Sequence, residues 1–153
     1  METLVNQKTE FNGKIFNAVR AIVRLDDGQE VTRDIVEHSG GAGVVAYTGT
    51  SVILIKQFRI GVGKEVIEIP AGLLEGHEDP EKRGAAELLE ETGYTAGRMT
   101  SLGAIYPSAG FSTEKVHLFI GEDLKHVGQD LEWDEQIEVV EYSIKEIKIN
   151  RKT

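Results

Sequence analysis

Between Asp79 and Gly93 the chain carries a full set of helix boundary signals, while its strand-like runs elsewhere are mostly joined by short turns. Asp79 suits an N-cap, Pro80 the first helical position, and Gly93 the residue just past the end. Between them Ala85, Leu88, Leu89 and Thr92 recur at i, i+3, i+4 and i+7, which predicts a helix over Pro80–Thr92 with a buried stripe. Residues 14–25 and 29–36 read as strands, with Asp26-Asp27-Gly28 as the turn of a hairpin. Gly40, Gly41 and Gly43 then break the chain. Residues 44–48 and 51–57 flank Gly49 as a second hairpin, and 65–69 is a short strand stopped by Pro70. Further strands are expected near 101–106, 115–120 and 137–142. Ser143 with Glu146 is a capping-box signal for a last helix of about two turns. This pattern predicts a mixed α/β domain with hairpin-linked strands, not a doubly wound sheet.

The 153 residues, 40% of them apolar, suit one domain with a real core, and neither repeats nor low-complexity tracts interrupt them. An N-terminal β region over 1–38 and a catalytic core over 39–153 are the expected parts. With no cysteine, the chain has no disulfide, thiolate zinc site or cysteine nucleophile. The polar start at 1–11 does not resemble a signal peptide, and no apolar run approaches the roughly 20 residues that span a bilayer. A cytoplasmic protein without membrane attachment is expected. The net charge of −9, from 26 carboxylates against 17 Lys and Arg, repels nucleic-acid polymers and anionic membranes. A small phosphate ligand remains compatible, because a bound divalent cation reverses the local sign.

The helix concentrates that charge. Glu87 and Glu91 are i, i+4 and share a face, Glu90 lies on a neighbouring row, and Glu78 stands just before the helix. A solvated charged face is the ordinary reading of such a cluster, but the energetics oppose it. Like charges at i, i+4 destabilise a helix by roughly 0.2–0.5 kcal/mol. Exposed carboxylates in the last turn oppose the helix dipole by ~0.3–1 kcal/mol each. No Lys or Arg follows in that turn to offset them. A bound cation accounts for the arrangement better than solvent does. Hard divalent cations prefer carboxylate oxygens, and Mg²⁺ keeps sites open for water and substrate phosphates. The implied chemistry is metal-assisted hydrolysis of a phosphoanhydride.

The segment Gly72-Leu-Leu-Glu-Gly-His-Glu78, with Glu87-Leu-Leu-Glu90-Glu91-Thr-Gly93-Tyr94, resembles the Nudix box G-x5-E-x7-R-E-U-x-E-E-x-G-U, where U is bulky and apolar. From about Lys14 to Tyr142 the chain is similar to the ADP-ribose pyrophosphatase branch of that family. Supporting stretches are Lys56-Gln57-Phe58-Arg59, Glu68-Ile69-Pro70-Ala71-Gly72, Tyr106 to Glu114, and the acidic run 130–138. The resemblance implies a Nudix α/β/α sandwich with a mixed sheet and an N-terminal β-hairpin region. It implies conversion of ADP-ribose to AMP and ribose 5-phosphate with Mg²⁺, or alternatively Mn²⁺. Glu87 and Glu91 would be the principal metal ligands, Glu90 would support them, and the Ala71 carbonyl would join the metal shell. The catalytic base would come from a late loop, where Glu135 is preferred over Glu132. Arg59 would approach the diphosphate, and Arg33, Glu68, Gly110, Phe111 and Glu114 complete the substrate-binding candidates. The first hairpin would belong to a homodimer interface that helps form the partner's adenosine site.

Three features depart from the pattern. The box arginine, which orients the adjacent glutamates, is replaced by Ala86; Arg83, at i−4 to Glu87, is the expected substitute. Ala109 stands where this branch usually has proline, which removes a fixed φ from a substrate-side loop. Relatives also generally continue into a longer C-terminal helix. The four histidines show no metal-ligand spacing, and His77 falls at a box position open to any residue. Ser108 and Ser112 have no identifiable base, so a loop role is expected. Trp133 is read as a nucleotide cover or a packing anchor, and Phe11 and Phe16 as core or interface residues. Two alternatives stand beside the leading reading: a Nudix hydrolase for another nucleotide, and a degenerate domain that binds without cleaving.

Overall fold

The computed structural model describes residues 1–131, 133 and 136–150, without the side chains of 148–150. The described elements are β1 (Thr3–Asn12), β2 (Phe16–Arg24), β3 (Glu30–His38), β4 (Gly41–Tyr47), β5 (Ser51–Arg59), β6 (Lys64–Glu68), β7 (Ala71–Leu73), α1 (Pro80–Thr92), β8 (Tyr94–Ile105), β9 (Val116–His126), β10 (Ile137–Ser143) and α2 (Ile144–Asn150). Two compact units result, Met1–Gly40 with Ala104–Val116, and Gly41–Gly103 with His117–Thr153. Among the described residues no helix is long and apolar enough to cross a membrane.

In the first unit β1, β2 and β3 form an antiparallel sheet in that order. The expected turn is present: Gly28 adopts φ 86° and donates its N–H to Leu25 O, while Asp27 accepts from the Gln29 amide. Val19, Ala21 and Val23 alternate as the buried face of β2. The loop after β8 joins this unit through backbone bonds, Val36 N–H to Phe111 O at 2.7 Å and Thr113 N–H to Val36 O at 2.9 Å.

Strand β1 is a correction to the sequence reading, which expected a hairpin alone. All ten of its residues are exposed, and its register with β2 shifts twice, between Leu4 and Asn6 and between Thr9 and Phe11. A strand with no buried face carries no period-2 pattern for sequence reasoning to find. Phe11 and Phe16 lie against each other with ring centroids 5.8 Å apart and stay exposed, so neither belongs to the core. Trp133 is 95% exposed, which removes its reading as a packing anchor.

The second unit is a mixed α/β layer. Its sheet runs β10-β5-β4-β9-β8, with β6 added to β5 and the short β7 added to β4. Ala42, Val44, Ala46, Ile53, Leu88 and Phe119 form the core between this sheet and α1. The helix has its expected boundaries: Asp79 accepts from the Glu81 amide, and Gly93 closes the end at φ 74° with its N–H on Leu89 O. A Cβ at Gly93 would stand 2.7 Å from the Gly128 carbonyl carbon, so this position requires glycine twice over. The capping box of α2 also forms. Ser143 donates its amide and hydroxyl to the Glu146 carboxylate, and these bonds hold that carboxyl below its usual range.

The buried stripe of α1 differs from the expected one. Gly84, Glu87, Leu88, Glu91 and Thr92 face the sheet, while Ala85 is exposed and Leu89 only half-buried. This is an i, i+3, i+4, i+7, i+8 stripe rotated by one residue from the apolar pattern, because two of its five members are glutamates. Gly84 permits the close approach: a Cβ there would lie 3.1 Å from Val44 Cγ2.

Candidate active site

Two features bring the acidic helix against backbone. Strand β7 pairs with β4 in the register Gly43↔Ala71, Ala42↔Gly72 and Gly41↔Leu73, which places Ala71 and Gly72 beside α1. On the helix, Glu87 and Glu91 are 5% and 4% exposed, values at which a carboxylate needs defined partners. Glu91 accepts the Ala71 N–H at 2.9 Å. Glu87 takes an ion pair from Arg83 Nη2, so the arginine expected to replace the missing box residue does reach this carboxylate.

Gly72 is the close neighbour of Glu87. A Cβ built on Gly72 would overlap the Glu87 carboxylate, so the glutamate occupies the space a side chain would fill. Gly72→Ala is therefore expected to push Glu87 out of place without unfolding the domain, since the clash falls on the movable end of a side chain. The expected reading is a loss of about 10–100-fold in Mn²⁺ affinity, the scale for disturbing the groups that orient a ligand. Equilibrium titration with Mn²⁺ beside a thermal melt checks both halves of this expectation.

The last turn of α1 is satisfied by the segment 127–130, of which sequence reasoning singled out only Asp130, as the start of an acidic run. Val127 and Gly128 donate their amides to Gly93 O, Gln129 Nε2 donates to Glu91 O, and the Asp130 amide donates to Glu90 O. These donors offset the dipole penalty that carboxylates at a helix C-terminus incur, in place of the absent Lys or Arg. Gln129 had no local signal, because its partner lies 38 residues away.

The remaining candidates divide between the units. Arg59 holds Glu68 with two parallel bonds, Nε–Oε1 at 3.0 Å and Nη2–Oε2 at 2.7 Å, so these two residues are brought together in the second unit. Arg33, Gly110, Phe111 and Glu114 belong to the first unit, where Arg33 pairs with Glu2 and the Glu114 amide donates to Ser112 Oγ. Phe111 is exposed. Glu78 receives the Glu75 amide at 3.3 Å and closes the loop before the helix. Glu90 is half-buried. Glu132 and Glu135 lie outside the described residues.

Among the described residues no three acidic or histidine side chains converge as a ready-made ligand set. Two buried carboxylates over a bare Ala-Gly backbone nonetheless fit a hard divalent cation, because Mg²⁺ is typically held by one or two carboxylates and completed by water and phosphate. A cation held there would polarise a phosphoryl oxygen and activate water. The fold and the site together are those of an enzyme that handles small phosphorylated molecules.

Residues 37–153 match the family model of the NUDIX domain. The chain is 38% identical over 148 residues to the ADP-ribose pyrophosphatase of Bacillus subtilis (strain 168), covering 95% of this chain and 80% of that one. It is 36% identical over 144 residues to the methanol dehydrogenase activator of Bacillus methanolicus, with 91% and 78% covered. A crystal structure of an ADP compounds hydrolase superposes with a TM-score of 0.86 over 99% of this chain and 83% of that one, at 17% identity, which shows the shared fold. The chain belongs to the NUDIX family and is one of its hydrolases.

Proposed function

We propose that this hydrolase cleaves the diphosphate bond of ADP-ribose or a related nucleoside diphosphate sugar, releasing a nucleoside monophosphate and a sugar phosphate. The observation that carries the reading is the pair of buried carboxylates, Glu87 and Glu91, set against Ala71 and Gly72 in a chain 38% identical to an ADP-ribose pyrophosphatase. Glu87, Glu91 and the Ala71 carbonyl would hold Mg²⁺, or Mn²⁺ in its place, with Glu90 in support. When bound, the metal neutralises the diphosphate and lowers the pKa of an attacking water. Buried Glu91 keeps its hydrogen bond to Ala71, which fixes its orientation before a cation arrives.

Arg59, held at a defined angle by Glu68, is suited to engage a diphosphate oxygen with its planar guanidinium. Arg33, Gly110, Phe111 and Glu114 of the first unit are the further candidates for substrate contact, and the exposed strand β1 offers a surface for a homodimer. The base is a glutamate of the late loop, Glu135 before Glu132. The Asp130 amide bonded to Glu90 O supports this role, because it ties the chain entering that loop to the acidic helix. A cytoplasmic location suits such a substrate. The chain is proposed to act as a single functional domain despite its two compact units.

Release of AMP from ADP-ribose, measured with Mg²⁺, with Mn²⁺ and with EDTA beside a panel of other nucleotide sugars, tests the reading. Metal-dependent turnover fastest on ADP-ribose is the expected result. Ala109, in the turn that carries Gly110 and Phe111, favours a second reading with the same chemistry on another nucleotide substrate, and faster turnover of a different panel member would select it. Nucleotide binding without turnover on any substrate would overturn both.

A further inference from the structure

Resting on the hydrolase reading, we infer that Arg83 is the positioning residue of the metal site, having taken over from one turn earlier the work that Ala86 cannot do. Arg83 and Glu87 lie at i, i+4, 40° apart around the helix axis by an ideal turn of 100° per residue. Their ion pair sits in the wall between α1 and β7, with side-chain exposures of 27% and 6%. The Glu87 carboxylate is held from two sides: Arg83 Nη2 meets Oε1 from the helix, and the Cβ-less Gly72 lies behind the same carboxylate.

The form of the contact distinguishes positioning from simple stabilisation. An arginine placed to stabilise a carboxylate commonly engages it with two parallel N–H bonds, as Arg59 does with Glu68. Arg83 instead leaves its Nε–H buried and without a hydrogen-bond partner among the described residues. The Nε–H therefore gives Glu87 none of the side-on pairing that Arg59 gives Glu68. What the arrangement secures is the location of one carboxylate oxygen beside the Ala71-Gly72 backbone. The reach of Arg83 also makes the device selective. Glu87 is one turn away, whereas Glu90 and Glu91 are seven and eight positions along, so of these three carboxylates Glu87 is the one at i, i+4 spacing.

The test uses the full chain with Mn²⁺ alone as the probe, titrated by the electron paramagnetic resonance of the free ion. Arg83→Met keeps the buried stem and removes the charge, and Arg83→Lys restores a cation. Arg83→Met is expected to weaken Mn²⁺ binding by about 10–100-fold, and Arg83→Lys to recover most of the loss. In a Glu87→Gln background Arg83→Met should change Mn²⁺ affinity no further, because residues acting through one another are not additive. A lower melting temperature with Mn²⁺ affinity within about twofold of wild type would overturn the inference and leave Arg83 a packing residue. Tighter Mn²⁺ binding in Arg83→Met would overturn it too, showing that Arg83 competes with the cation. An additive loss in the Glu87→Gln background would equally refute it. If wild type hydrolyses no nucleotide sugar, the substrate reading fails, while the Mn²⁺ titration still decides the role of Arg83.

Discussion

Glu91→Gln is expected to lower kcat by about two to three orders of magnitude while leaving the fold intact. Glu91 is 4% exposed and its Oε2 accepts the Ala71 N–H. Glutamine has the same length, and its amide oxygen can still accept that bond, so no cavity is created and the Ala71 N–H keeps its acceptor. The lost feature is the negative charge that the proposed metal site needs. Transition-state stabilisation by a metal amounts to several kcal/mol, and each ~1.36 kcal/mol is tenfold in rate, which sets the magnitude. Single-turnover and steady-state assays of AMP release, with circular dichroism as the control on folding, give the comparison. Activity within about threefold of wild type would mean that Glu91 holds no metal in the reaction, and that its burial serves only to bind the Ala71 backbone.

Leu88→Ala carries the largest expected loss of stability, about 2–5 kcal/mol. Leu88 is 0% exposed and is the only α1 residue in the cluster with Ala42, Val44, Ala46, Ile53 and Phe119 among the described residues. The surrounding side chains are mostly small and stand on paired strands, so they cannot readily collapse into the space left behind. At about 2–4 °C per kcal/mol for a chain of this length, the melting temperature should fall by roughly 5–15 °C. Leu88 also lies between Glu87 and Glu91, so the substitution loosens the seating of both carboxylates. Differential scanning calorimetry checks the first effect and Mn²⁺ titration below the transition checks the second. A loss under about 1 kcal/mol would show that α1 is held to the sheet chiefly by Gly84 and the hydrogen bonds around Ala71.

The two results bear on one physical arrangement, a helix whose buried face is part hydrocarbon and part carboxylate. Its apolar half anchors the element, and its acidic half is presented to backbone at a fixed depth. Ordinary core design would place no glutamate there. Both parts of the stripe have the same helical period, so a stability defect at Leu88 and a metal defect at Glu91 are expected to be separable in sign and size only if the side chains act independently.

Much of this was legible in the sequence, because the signals were local. Asp79, Pro80 and Gly93 set the helix ends through backbone rules that need no tertiary partner, and the structure has the helix at Pro80–Thr92. Gly28 and Gly49 take the positive φ their turns require. Ser143 and Glu146 form the expected capping box. The strands 94–105 and 116–126 run longer than the expected 101–106 and 115–120, since edges without clear turn residues have no local marker.

The sequence by itself determined where the helix lies, that Glu87 and Glu91 share its face, and that Arg83 can reach Glu87. Covalent spacing and a helical period of 3.6 are enough for each of these. Only the tertiary structure decided which face is buried, and it chose the one with two glutamates because β7 offers them Ala71 N–H and the space beside Gly72. It alone decided that β1 is a strand with all its side chains exposed, and that Gln129 and Asp130 cap the acidic helix from 38 and 40 residues away by sequence. In every such case the partners are far apart along the chain, so the free energy that selects the arrangement is absent from any local window.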